Sequence, residues 1–258
     1  MRLWHLVTVI VLLIGFLSAC VTPKAEPTPI LPTETATMVP TVTATIDWFP
    51  ATATPTLIPT QVIEPTPEMR PGIGSLLVEN LFASGSVWRT GNFEAGNITQ
   101  VNDTLTLAIQ QPRSNLMSLE INNIFVDFNL ETKVHINLCR ENDVYGLLVR
   151  SMSEYNYYRF IFNCQGYARA ERIRDGATTL MQDWTPSGLL PGAPQDVTLG
   201  VYAVGDEIRL FANNAFVFSV SDPLFNEGTI GVYARADGDS PVTVSFSEMT
   251  ISSVNTSQ

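Results

Sequence analysis

Between Tyr145 and Ala170 the chain reads YGLLVRSMSEYNYYRFIFNCQGYARA, a run of tyrosine, phenylalanine and arginine in near alternation. These are residue types that can grip a planar or hydroxylated ligand: tyrosine stacks on a ring, and a guanidinium forks onto hydroxyls or a carboxylate. With Ser151–Asn156 as the loop of a first hairpin, Tyr145, Leu147, Val149, Tyr158, Phe160 and Phe162 share a core face. Gly146, Leu148, Arg150, Tyr157, Arg159 and Ile161 share the other. A two-residue Gln165-Gly166 turn would then drive Arg169 and Glu171 into the core and set Arg172 against Arg159, both unfavourable. A three-residue loop, Cys164-Gln165-Gly166, instead puts Ala168 and Ala170 in the core and Glu171 opposite Arg159, worth about 0.2–1 kcal/mol. This register gathers Arg150, Tyr157, Arg159, Arg169 and Glu171 on one non-core surface, the candidate ligand-binding set. The same surface also reads as a solvent-facing sheet laced with ion pairs. Trp184, Trp88 and Tyr202 are aromatic residues that could extend it or belong to the core.

The elements that must carry this surface are strands. Beyond about Gly74, β-branched and aromatic residues alternate with polar ones, predicting strands over Thr104–Ile109, Phe125–Leu138, Tyr145–Arg150, Tyr157–Asn163 and Tyr167–Arg174, then Val197–Val204, Glu207–Ala212, Ala215–Val220, Thr229–Arg235 and Val242–Ile251. Turn chemistry lies between them at Gly205-Asp206, Asn213-Asn214 and Asp237-Gly238-Asp239. No long helical period follows residue 20. The expectation is an all-β sandwich of jelly-roll type over residues 74–258, large enough for one core.

The N-terminus has a different character. Arg2 precedes an apolar run from Leu6 to Leu17, too short for a comfortable membrane span of about 20 residues and ending in Leu17-Ser18-Ala19-Cys20. The run reads as a signal peptide, residues 1–19, and its end resembles the lipobox of bacterial lipoproteins. That resemblance implies lipidation of the Cys20 thiol, cleavage before it, and anchoring to the outer face of a bacterial cell membrane. Residues 20–73 then form a linker: within 21–70, 13 threonines and 10 prolines occur and no glycine does. Such a segment favours an extended polyproline II stalk without a core, reaching at most about 150 Å at about 3.1 Å per residue. With Cys20 assigned to the anchor, Cys139 and Cys164 remain as a candidate disulfide in an exported chain. Were the strands on either side of each consecutive loop to lie side by side, the two cysteines would be about 9–10 Å apart, beyond bridging distance. The net charge of −11 gives no basic footprint for nucleic acid or anionic lipid.

Several motifs carry a family resemblance: Phe82…Trp88, Tyr145-Gly146-Leu147-Leu148-Val149-Arg150, Asn156-Tyr157-Tyr158-Arg159-Phe160, Gly166-Tyr167, Ile208–Asn214, Asp222 and Gly228–Ala234, closed by Val242–Ile251. Over about Leu76 to Val254 the chain resembles the concanavalin A-like lectin/glucanase superfamily, and within it laminin-G-like and 3-keto-disaccharide hydrolase-like domains of bacterial surface lipoproteins. The resemblance implies a jelly-roll sandwich. Family-16-type glucanases of this fold use a Glu-x-Asp-x-(x)-Glu strand, because retaining hydrolysis needs two carboxylates about 5–5.5 Å apart. Here the one Glu-x-Asp, Glu141-Asn142-Asp143, sits in a predicted loop without the second glutamate, so no catalytic residue is assigned. His135 has no Gly-x-Ser-x-Gly partner and reads as a packed strand residue, and one histidine with two cysteines is a poor zinc set. Laminin-G-like domains often bind calcium, which makes Asp222, Asp237 and Asp239 weak candidates beside their ordinary role in turns. Three readings stay open: a lipid-anchored module binding glycan, cell-wall polysaccharide or another extracellular ligand without catalysis; a carbohydrate-active enzyme of the 3-keto-disaccharide hydrolase-like or family-16 type; and a structural or adhesion module contacting other surface proteins.

Overall fold

A computed structural model describes residues 68–83, 87–239 and 241–255. The expected signal segment, Cys20 and most of the Thr/Pro-rich segment lie outside the described residues. The described elements are strands: β1 (Ile73–Val78), β2 (Gly91–Phe93), β3 (Gly96–Val101), β4 (Thr104–Ile109), β5 (Asn115–Leu119), β6 (Phe128–Leu138), β7 (Val144–Ser153) and β8 (Asn156–Asn163). They continue with β9 (Tyr167–Arg174), β10 (Ala177–Pro186), β11 (Gln195–Val204), β12 (Glu207–Ala212), β13 (Ala215–Ser221), β14 (Thr229–Arg235) and β15 (Val242–Val254).

These strands form two antiparallel sheets. The nine-stranded sheet runs β13-β12-β11-β6-β15-β4-β3-β2, with β1 also paired to β15; the six-stranded sheet runs β10-β9-β8-β7-β14-β5. The fold is therefore the all-β sandwich expected from the alternation. Its core is built from one face of each sheet. Phe128, Leu130, Val134 and Ile136 of β6 and Leu199, Val201 and Ala203 of β11 face Tyr145, Leu147 and Val149 of β7 and Tyr158, Phe160 and Phe162 of β8, all buried. Burying each large apolar side chain contributes about 1.5–3 kcal/mol, the main favourable term.

Bulges in β15 and β7 break the alternation and keep the core continuous. In β15, Val242, Val244 and Phe246 face inward, then Glu248 takes a left-handed φ of 47° and Met249 and Ile251 assume the inward positions. In β7, pairing with β8 is regular to Val149↔Tyr158 and resumes only at Ser153↔Asn156. Arg150 lies at that break with φ 51°, a conformation that costs free energy for a residue with a Cβ. Gly228 crosses close by: a Cβ there would lie 2.6 Å from Ser151 N, so only glycine lets this loop pass.

The disulfide geometry differs from the side-by-side estimate. β6 does not neighbour β7; it sits in the opposite sheet between β11 and β15. Cys139, just after β6, and Cys164, just after β8, meet across the sandwich with Cα atoms 5.9 Å apart and form a disulfide that ties the two sheets at one end.

The first described residues are fixed to the outer face of the nine-stranded sheet. Arg70 pairs with Glu131 and lies over the Phe211 ring, 4.5 Å from its centroid. Arg209 donates to the Met69 carbonyl at 2.8 Å and Tyr202 to that of Pro71 at 2.7 Å.

Candidate functional site

The outer face of the six-stranded sheet is set by its registers. One row across it reads Leu119, Gly231, Leu148, Arg159, Glu171; the next reads Met117, Tyr233, Gly146, Ile161, Arg169. The three-residue loop after β8 holds this arrangement: Asn163 Oδ1 accepts from the backbone N–H groups of Gln165 and Tyr167 at 3.1 and 2.9 Å, and Gly166 takes φ 86°. Glu171 therefore stands opposite Arg159, as the charge pattern requires.

Around these rows a groove of about 330 Å³ opens, lined by Arg159, Arg169, Glu171, Trp184, Tyr233 and Arg235 with Asn142 and Asp237 at one end. Arg159 donates through Nε to Glu171 Oε2 at 2.9 Å and stacks over Tyr233, 4.7 Å from the ring centroid. Arg169 approaches Glu171 Oε1 at 3.2 Å and lies over Trp184 at 5.6 Å. Burial alone would lower the Arg159 pKa, but Tyr233 and Glu171 outweigh it and hold it above the ordinary arginine value. Beneath lies a second apolar strip of Val144, Leu148, Tyr157, Ile161, Ile173 and Tyr233. Gly146 leaves a gap in it beside Tyr233, and no side chain fits there: a Cβ would sit 2.8 Å from Ile161 Cα and against the Phe160 carbonyl.

The structure thus brings together three of the five residues expected on this surface, Arg159, Arg169 and Glu171. Tyr157 is on the same face but buried in the strip, where burial raises its pKa, so its ring is covered. Arg150 departs from the expectation. The bulge turns it to the interior, where it is 0% exposed and its guanidinium donates to the carbonyls of Gly205, Val126 and Phe225 at 2.7, 3.1 and 3.2 Å, with Asp127 3.7 Å away. Its role is to close one end of the sandwich. Tyr233, Arg235 and Asn142 were not foreseen as site residues, and Asp237, expected only as a calcium candidate, lies in the groove lining instead. The aromatic candidates divide: Trp184 lines the groove, Trp88 is core and donates to the Leu81 carbonyl at 2.8 Å, and Tyr202 belongs to the opposite sheet.

Other candidates are committed elsewhere. Asp222 accepts from Tyr158 Oη at 2.8 Å and Leu224 N–H at 2.9 Å and pairs with Arg172, so its carboxylate is already engaged. Asp237 pairs with Arg235. Among the described residues no group of three or more His, Cys, Asp or Glu is placed to hold a metal ion. Asp143 accepts the N–H groups of Arg140 and Asp237, each at 2.9 Å, which makes the Glu141-Asn142-Asp143 segment a structured turn rather than a catalytic strand. His135 is not packed but half-exposed, with Nδ1 2.6 Å from Asp196 Oδ1; its cross-strand neighbour Ser245 bonds Thr106 and Asn137 instead.

A larger cleft of about 520 Å³ lies between the β14 start and the β7 end, lined by Leu119, Ile121, Ile124, Met152 and Thr229 among others. It holds no aromatic ring, and its buried carboxylate, Glu120, is occupied by the N–H groups of Asn122 and Asn123 at 3.0 and 2.8 Å.

No known family profile and no curated protein matches the chain. Solved structures do. A Bacillus subtilis protein of unknown function described as having a galectin-like fold is similar at 11% identity and TM-score 0.51, over 70% of this chain and 97% of that one. The carbohydrate-binding module CBM66 from Bacillus subtilis is similar at 17% identity and TM-score 0.49, over 64% and 95%. The Crh5 transglycosylase is similar at 9% and 0.49, over 73% and 88%. At such identities the likeness is one of fold, and the fold is a galectin-like β-sandwich.

Proposed function

We propose that the sandwich binds carbohydrate without turning it over, through the groove on the outer face of the six-stranded sheet. The observation that carries this reading is the meeting of Arg159, Glu171 and Arg169 beside the partly exposed Trp184, with Tyr233 buried beneath Arg159 as support. A sugar offers flat C–H faces to an aromatic ring and a ring of hydroxyls to planar, directional donors and acceptors, and this groove holds all three partners. Glu171 is the natural acceptor for hydroxyl donors, and the two guanidiniums are the donors.

The same geometry argues against hydrolysis in the groove. Glycoside cleavage needs one carboxyl held protonated beside a second that stays ionised. Glu171 is engaged by two arginines and Asp237 by Arg235, and the groove offers no second carboxyl beside either of them. We further propose that the chain is exported and held by a lipid on Cys20 at the outer face of a bacterial membrane, as the Leu17-Ser18-Ala19-Cys20 sequence supports. Residues 69–71 lie on the nine-stranded sheet, whereas the groove is on the outer face of the six-stranded sheet.

A glycan array followed by titration calorimetry on the full chain tests the binding reading. Binding is expected, lost in Trp184→Ala with Arg159→Ala and retained in His135→Ala on the other sheet. Hydrolysis of a 3-keto-glycoside or a β-glucan, abolished by Glu171→Gln, would overturn the non-catalytic reading. Retention of labelled lipid by Cys20→Ser would overturn the anchor.

A further inference from the structure

The groove carries a charge imbalance that a neutral sugar does not require. Its lining holds three arginines, Arg159, Arg169 and Arg235, against two carboxylates, Glu171 and Asp237, in a chain of net charge −11. Arg235 is matched by Asp237, whereas Glu171 alone serves both Arg159 and Arg169. Its better-oriented bonds go to Arg159. Arg169 Nε, although 3.2 Å from Glu171 Oε1, is buried and has no partner at hydrogen-bonding angle. Arg169 is thus positioned by Glu171 and by the Trp184 face but incompletely satisfied. The Nε itself is enclosed against Glu171, so a ligand acceptor reaches Arg169 through the exposed part of its guanidinium. A carboxylate is the best such acceptor for a guanidinium, because two parallel N–H···O bonds match its shape and charge.

We propose that the ligand of this groove is an acidic sugar whose carboxylate pairs with Arg169 while its ring lies along Trp184. The inference rests on the carbohydrate reading above and adds the substrate class to it. A uronate carboxylate beside Arg169 and Arg159 would restore local neutrality at the positive end of the row, leaving Glu171 to accept from ring hydroxyls. Arg169 is about a quarter exposed, with a side-chain accessibility of 28%, so it can be reached from solvent. The pairing is therefore subject to salt screening, with a Debye length of about 10 Å at 0.1 M falling to about 3 Å at 1 M.

The test uses the full chain and oligomers of galacturonate, glucuronate and mannuronate, each compared by calorimetry with its carboxyl-reduced neutral counterpart of equal length. At least one acidic oligomer is expected to bind about tenfold or more tightly than its neutral counterpart, a preference that shrinks when salt rises from 0.05 to 0.5 M. Arg169→Gln is expected to reduce the acidic-to-neutral ratio below threefold, and Arg169→Lys to restore it only in part, because an ammonium keeps the charge but not the fork. Circular dichroism of both variants controls for folding. Equal or weaker binding of every acidic oligomer, with neutral glycans bound in the groove, overturns the acidic-sugar inference and leaves the carbohydrate reading standing. Absence of binding to every glycan, acidic or neutral, overturns both. An acidic preference unaffected in both Arg169 variants overturns the assignment to this residue.

Discussion

Replacing Arg150 with methionine separates two roles that this residue could have. Its guanidinium is fully buried and donates to three backbone carbonyls, at 2.7, 3.1 and 3.2 Å. Each bond to a charged group is worth about 1.5–3 kcal/mol net of exchange with water, and three made by one guanidinium do not add in full. Removing it leaves three carbonyls unpaired, and the expected loss is about 3–5 kcal/mol. Burial lowers the Arg150 pKa and Asp127 works against that shift. Methionine fills much of the volume but leaves the carbonyls of Gly205, Val126 and Phe225 without donors, and it inherits a φ of 51°. At about 2–4 °C per kcal/mol for a domain of this size, Tm should fall by about 6–20 °C. Urea unfolding followed by tryptophan fluorescence, with Tm from circular dichroism, measures both. An exposed ligand-contacting arginine would instead leave stability within about 0.5 kcal/mol and weaken only binding. A loss below about 1 kcal/mol would refute the assignment of Arg150 as a buried interior plug.

Further outcomes follow from the same structure. Cys139→Ser with Cys164→Ser opens a link across 25 residues; loop-closure entropy places the loss of stability near ~3.5 kcal/mol, read from the urea midpoint. Gly146→Ala forces β7 and β8 apart beneath Tyr233 and should cost about 1–3 kcal/mol in the same assay while weakening glycan binding. For Tyr158, burial is the main cause raising its pKa to about 12; because the folded value lies above the unfolded one, its contribution is complete below about pH 10 and is lost as pH rises toward 12. Burial would raise the Asp222 pKa, but Leu224 N–H, Tyr158 and Arg172 together hold it below the ordinary aspartate value. Its contribution is therefore present above about pH 4 and lost as pH falls through its depressed value. Stability against pH in the wild type and in Asp222→Asn should converge at the acid end.

The strands most visible in the sequence are those with one buried face. Thr104–Ile109, Tyr167–Arg174, Glu207–Ala212 and Thr229–Arg235 coincide with observed strands, the first with strict alternation and the others with β-branched and aromatic residues between clear turns. The register of β8 with β9 was readable too, since the alternative turn would have buried Arg169 and Glu171. The strands β1, β2, β3, β5 and β10 were not anticipated. β2 has three residues, and β10, ATTLMQDWTP, is a largely exposed edge strand whose pairing is irregular, so little periodicity marks it. Arg150 misleads because alternation assumes an unbroken strand, and a bulge inverts the face of the next side chain. Tyr233 and Arg235 were visible as strand residues but not as site residues. Their place beside Arg159 depends on β14 pairing with β7, a contact between residues about ninety positions apart that local pattern does not encode.

We propose that this galectin-like sandwich binds sugar in the groove of Arg159, Arg169, Glu171 and Trp184. The most direct measurement is a chemical-shift or calorimetric titration of the full chain with glycans selected by array, in the wild type and in Arg159→Ala with Trp184→Ala. Saturable binding that perturbs the groove residues and disappears in the double variant is the expected result. Binding that persists in the folded double variant, or perturbs only the nine-stranded sheet, would contradict it.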